Sequence, residues 1–128
     1  MKTFTDLEQS KKLAEILPLD SADMVFAYCD SFDEYTTFPR VLESSQNFNI
    51  YERDIPCWSL AALLSVIPKR IKEDYIFRID VGVKDSSIWY DELSYGAKND
   101  LPDITAYNIV DACYEMIIKL HELNLLEL

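Results

Sequence analysis

From Thr105 to Leu123, apolar residues recur at Ile109, Val110, Cys113, Met116, Ile117 and Leu120. Asn108, Asp111, Glu115, Lys119 and Glu122 fall mostly on the other side. One stripe at a period of 3.6 residues predicts a C-terminal helix laid on a core. Asn108, with Asp111 three residues on, offers one N-cap for it, and Thr105 offers another.

The same pattern reading places the earlier elements. Thr5-Asp6-Leu7-Glu8 has the spacing of a capping box, which predicts a helix from about Asp6 to Leu17. Leu7, Leu13, Ala14 and Leu17 form a narrow apolar side, so this helix is expected on the outside, and Pro18 stops it. Met24 to Cys29 reads as a short strand with Met24, Phe26 and Tyr28 on one face. Arg40 to Gln46 adds a helical turn, and Phe48 to Tyr51 a further short strand. Ser59 caps a helix whose stripe is Leu60, Leu63, Leu64 and Ile67, and Pro68 closes it. This segment is almost wholly apolar and is expected to be buried. Asp74 to Val83 alternates as a strand. Turn residues from Gly82 to Ser86 return the chain antiparallel through Ser87 to Leu93. There Ile88 and Tyr90 share one face, with Trp89 and Asp91 on the other. The stretch from Ser94 to Asp103 reads as a loop.

Helices before and after adjacent antiparallel strands make the class α+β. The expected architecture is about three helices on a sheet of about three to four strands. At 128 residues and 49% apolar, the chain is read as a single domain, 1–128, with one core. The N-terminus is too charged for a signal peptide, and no apolar run is long enough to cross a bilayer. Cys29, Cys57 and Cys113 include no CxxC pair, so neither a zinc site nor a disulfide is expected. A reducing, cytoplasmic setting follows, without a membrane partner.

Two segments carry a resemblance. IPCWSLAALLSVIPK, from Ile55 to Lys69, and NIVDACYEMIIKLHELNL, from Asn108 to Leu125, are similar to segments of a family of small uncharacterised proteins from gut anaerobes and their prophages and mobile elements. That family often has proline where this chain has Ile109. The resemblance implies an origin in a mobile element and carries no catalytic role, cofactor or site residue.

Charge and candidate chemistry narrow the functional classes. With 23 acidic and 12 basic residues the net charge is −11. That sign disfavours direct nucleic-acid binding, which needs Lys and Arg on phosphate, and suits a basic protein partner. Solubility alone is the competing explanation. No glycine-rich phosphate loop, HExxH or GxSxG motif is present, and no cofactor is expected. Asp30, Asp33 and Glu34 cluster, as do Asp20 and Asp23, but DSFDEYTTFPRV lacks the alternation and glycine of a calcium loop. Phe32, Tyr35 and Phe38 stand among the first of these clusters. The candidate binding residues are therefore Asp30, Phe32, Asp33, Glu34, Tyr35 and Phe38: aromatic anchors within an acidic rim. The reading is a non-enzymatic interaction or accessory module. The alternative is a small enzyme or ligand-binding domain with a pocket near Cys57 and Trp58. There a partly exposed Cys57 thiol, activated by the helix N-terminus, would meet His121.

Overall fold

The computed structural model describes residues 2–42, 53–92 and 100–127. In chain order the elements are α1 (Leu7–Ala14), a single 3-10 turn (Leu19–Ser21), β1 (Met24–Phe26), β2 (Tyr28–Cys29), β3 (Glu34–Tyr35), β4 (Arg40–Val41), β5 (Ile55–Cys57), α2 (Leu60–Val66), β6 (Arg70–Ile71), β7 (Tyr75–Val81), β8 (Ser86–Glu92), β9 (Ile104–Ala106) and α3 (Ile109–Glu122). All strand pairings are antiparallel, in sheets ordered β4-β1-β5, β2-β3 and β6-β7-β8-β9. The fold is α+β.

α3 forms because its stripe has a sheet to cover. Ile109, Val110, Ala112, Cys113, Met116, Ile117 and Leu120 are buried, and the helix packs on β8, β9 and α2. Asn108 is the N-cap, accepting from the Asp111 N–H at 2.9 Å. Thr105 lies inside β9, so the helix begins four residues later than the earliest sequence boundary. At the other end Asn124 adopts φ 58°. Its N–H donates to His121 O and that of Leu125 to Leu120 O, which is the Schellman closure of a helix.

α1 departs from expectation in its cap. Asp6, not Thr5, is the N-cap: Gln9 N–H donates to Asp6 Oδ1 at 2.8 Å, and Asp6 N–H donates to Gln9 Oε1 at 3.1 Å. Thr5 is fully buried and committed elsewhere. Its hydroxyl lies 2.7 Å from Ser10 Oγ and accepts from Trp58 N–H at 3.2 Å. Its N–H donates to Trp58 O at 2.9 Å, and Leu60 N–H donates to Thr3 O at 3.0 Å. The first residues thus run beside the entry to α2. The helix ends at Ala14 rather than Leu17, but Leu13 and Leu17 are both buried.

The Met24–Cys29 strand divides at Ala27. β1 pairs with β4 and β5, whereas β2 turns to pair with β3. Val25 and Phe26 are both buried, so the expected Met24–Phe26–Tyr28 face does not form. The helical turn expected from Arg40 opens as β4 instead; its remainder, and the Phe48–Tyr51 strand, lie outside the described residues. Ser59 caps α2 as expected, accepting from Ala62 N–H at 3.2 Å, and itself receives Asp23, which accepts from the Ser59 N–H at 2.9 Å and from its hydroxyl. α2 is less buried than its composition suggests. Ala62, Leu63 and Ile67 are in the core, while Ala61 and Ser65 face solvent.

β7 and β8 pair over their full length, from Tyr75↔Glu92 to Val81↔Ser86. Ile88 and Tyr90 point into the core, as the alternation requires. Trp89 and Asp91 take the other face, where Trp89 Nε1–H donates to Asp91 Oδ1 at 2.8 Å. Gly82 closes the turn on Asp85, and a Cβ there would meet Asp85 O at 2.7 Å. The β6–β7 turn uses no glycine; Lys72 and Glu73 take φ 50° and 66°.

Asp111, in the first turn of α3, ties the N-terminal segment down. Its Oδ1 accepts from Lys2 Nζ at 2.7 Å and from Gln9 Nε2 at 2.8 Å; Oδ2 accepts from Asn108 Nδ2 at 2.8 Å. Burial by itself raises the Asp111 pKa, but these donors outweigh it and hold the carboxyl below its ordinary value. Lys2 shows the reciprocal effect: burial lowers it, and the hydrogen bonds from Lys2 to Asp111 and Asp6 raise it overall.

Three outcomes follow from this packing. Met116→Ala should cost about 2–5 kcal/mol of stability, as buried methionine-to-alanine changes do, measured by denaturant unfolding; an unchanged midpoint would mean that α3 does not cover the core. A carboxyl with a lowered folded pKa contributes stability that is present above its unfolded pKa and lost as pH falls through the folded one. Asp111→Asn should therefore lower the melting temperature at neutral pH, with the gap to wild type closing on acidification below the ordinary carboxylate range. For the cysteines, Cys57 and Cys113 are buried, Cys29 is half-buried, and all are free. A thiol reagent should label Cys29 first in the native protein and all three after denaturation.

Candidate functional site

Of the residues singled out between Asp30 and Phe38, all but Phe38 lie in one hairpin; Phe38 follows it. β2 and β3 pair as Tyr28↔Tyr35 and Cys29↔Glu34. The ladder continues where Thr36 N–H donates to Ala27 O at 2.9 Å, and Phe32 N–H donates to Cys29 O at 3.1 Å inside the turn. Asp33, at φ 52°, takes the left-handed position, which aspartate tolerates better than most residues.

The base of the hairpin is stiffened by aromatic and cationic contacts. The Tyr28 and Tyr35 rings meet edge-on at 5.2 Å. Arg53 lies over Tyr28 at 3.7 Å and reaches Asp30 at 3.8 Å, while Lys11 lies 5.7 Å from the Tyr35 ring centroid. Tyr28 N–H donates to the buried Asp54 Oδ1 at 2.9 Å, which anchors β2 to the segment leading into β5. Tyr35 thus serves the hairpin itself. Phe32 and Phe38 do not: they are 75% and 74% exposed. Asp30, Asp33 and Glu34 are exposed as well, so the turn carries one solvent-facing ring, Phe32, among three carboxylates, and the second ring, Phe38, follows beyond β3. Val41, in β4, adds an exposed apolar side chain that sequence reading did not select. Its signal was hidden by assigning Arg40–Gln46 to a helical turn.

The Cys57–His121 arrangement does not form. Cys57 is fully buried, not partly exposed, and contacts Thr5 Oγ1 at 3.5 Å. Burial raises its pKa, opposed only in part by hydrogen bonds from Thr5 and Ser10, so the helix terminus does not activate it. His121 is exposed near the end of α3. Trp58 is likewise fully buried, its indole N–H donating to Ser21 Oγ at 3.0 Å. Both residues proposed to line a pocket are core. Asp23, from the second acidic pair, is occupied by Ser59, and Asp20 is exposed. Among the described residues no group of three or more His, Cys, Asp or Glu could hold a metal ion.

The larger open clefts lie elsewhere. One is lined by Gln9, Asp85, Thr105, Tyr107, Asp111 and Glu115. Its most buried carboxylate, Asp111, is already satisfied by three donors. Among the described residues no helix is long and apolar enough to cross a membrane.

Comparison of the chain with protein-family models, with curated proteins and with solved structures finds no match.

Proposed function

We propose that this chain is a non-enzymatic interaction or accessory module that receives a basic protein partner on the Asp30–Phe38 segment. The observation that carries the reading is two exposed rings flanking β3: Phe32, in the turn with Asp30, Asp33 and Glu34, and Phe38, three residues beyond the strand. A partner's Lys and Arg are steered by the net charge of −11, and the two rings supply apolar contact after docking. Arg53 offsets Asp30 locally, so Asp33 and Glu34 carry the electrostatic share. The same charge argues against direct duplex DNA binding. A cytoplasmic setting and a mobile-element origin belong to this proposal, the first supported by the free thiols and the second by the segment resemblance alone. Burial of Cys57 and Trp58 weighs against the alternative of a catalytic pocket.

The test places a photo-crosslinking residue at position 32 and, as a control, at position 105 on the four-stranded sheet, in cells that express the chain. Crosslinking from position 32 to a basic protein, lost when Phe38→Ala and Glu34→Gln are added, is the expected result. Those changes should leave the melting temperature nearly unchanged, because neither side chain is buried. Equal crosslinking from both positions, or retention of the adduct in the variant, would place the interface elsewhere.

A further inference from the structure

The four-stranded sheet has an edge that its own strands do not complete. Across the β7–β8 turn, Gly82 N–H donates to Asp85 O at 2.8 Å. Antiparallel alternation then turns the N–H and C=O of Asp80, Arg78 and Ile76 toward β8, and those of Val81, Ile79 and Phe77 the other way. The Phe77 N–H confirms the assignment by donating to Lys69 O at 3.0 Å, beside β6. β6 reaches only as far as the pairs Arg70↔Ile76 and Ile71↔Tyr75. Past Phe77, the backbone groups of Ile79 and Val81 meet no strand among the described residues.

The side chains at this edge are apolar where the sheet faces α3. Ile79 is 41% and Val81 55% exposed, since α3 packs on β8 and β9. Natural edges are blunted by proline, a bulge or an inward-pointing charge. The stretch Arg78-Ile79-Asp80-Val81 has none of these and carries charge only on its outward face, at Arg78 and Asp80; both inward positions are aliphatic.

We propose that this edge is completed by the same edge of a second copy of the chain, related by a two-fold axis. The stretch matches itself when run antiparallel with Asp80 at the axis. Ile79 of each copy then lies opposite Val81 of the other, and the free N–H and C=O groups of both residues pair. The apolar side chains of the two copies meet on the α3 side of one continuous sheet. On the opposite face the two Asp80 carboxylates are brought together, which opposes association. Arg78 lies across from Gly82 of the other copy, where the missing side chain leaves room for the guanidinium to reach that copy's Asp80. Arg78 already bridges sideways to Asp91 at 3.3 Å, and its remaining N–H donors are available for this second contact.

Sedimentation of the full chain across a range of concentrations, at physiological and higher salt, tests the pairing. Wild type should show a monomer–dimer equilibrium that strengthens with salt, because two acidic copies repel. Val81→Pro removes a backbone N–H that β8 does not use, and should leave a folded monomer. Ile79→Lys places a charge on the inward face and should do the same. Circular dichroism identifies any variant that fails to fold. Should Val81→Pro unfold, Ile79→Lys and concentration-dependent protection of the Ile79 and Val81 amides in wild type carry the test. A wild type that stays monomeric throughout overturns the proposal, as does a dimer that survives Ile79→Lys or amides that gain no protection.

Discussion

Burial of the α3 stripe against β8 and β9 is the constraint on which the rest of the structure depends. Met116, Ile117 and Leu120 are fully buried beneath a helix of only 14 residues. Their burial needs a sheet of fixed register, because a shift of one residue would turn Ile88 and Tyr90 outward and Trp89 and Asp91 into the core. The opposite face of that sheet is tuned to solvent, with Arg78 and Trp89 both held by Asp91. Asp111 then couples the helix to the N-terminal segment through Lys2 and Gln9. Packing and polar satisfaction therefore act on one helix at its two sides.

The long periodic elements are legible in the sequence. α3, the β7–β8 hairpin and the Ser59 cap of α2 follow from local patterns that their burial reinforces. The strands that the pattern does not show are β3, β4, β5, β6 and β9, each two or three residues long. A strand of that length contains no repeat of an alternation; it exists because a neighbour offers hydrogen-bond partners. β5 includes Pro56, which ordinarily argues against a strand, and is admitted as the edge of its sheet beside β1. The Thr5 cap failed for a related reason. Thr5 and Asp6 are equivalent as local caps, and the choice between them is made by Trp58 and Ser10, distant or inward-facing groups that claim the Thr5 hydroxyl.

The candidate site was legible in part. Aromatic residues among carboxylates indicated an unusual stretch, but composition does not say which rings turn outward. The pairing of β2 with β3 decides it: Tyr35 lies opposite Tyr28 and is retained by the hairpin, whereas Phe32 in the turn and Phe38 beyond β3 are left to solvent. For Cys57, a position just before a helix cap suggests an exposed, activated thiol. Pairing of β5 with β1, and the approach of Thr5, enclose it instead.

The distribution of perturbed groups bears on function independently of any motif. Functional sites usually pair desolvation with a charged partner at a cleft. Here burial pushes the Cys113 thiol up to about 12 and raises Tyr90 as well, and both side chains lie in the core under α3. Cys57 is raised chiefly by burial, in an enclosed site. Asp111 is lowered by donors that knit the N-terminus to α3. The thiols and Tyr90 are enclosed; Asp111 alone of these groups lines an open cleft, and there its oxygens are taken up by Lys2, Gln9 and Asn108. The proposed contacts with other chains rest instead on the exposed rings, the acidic charge and a strand edge left unpaired among the described residues.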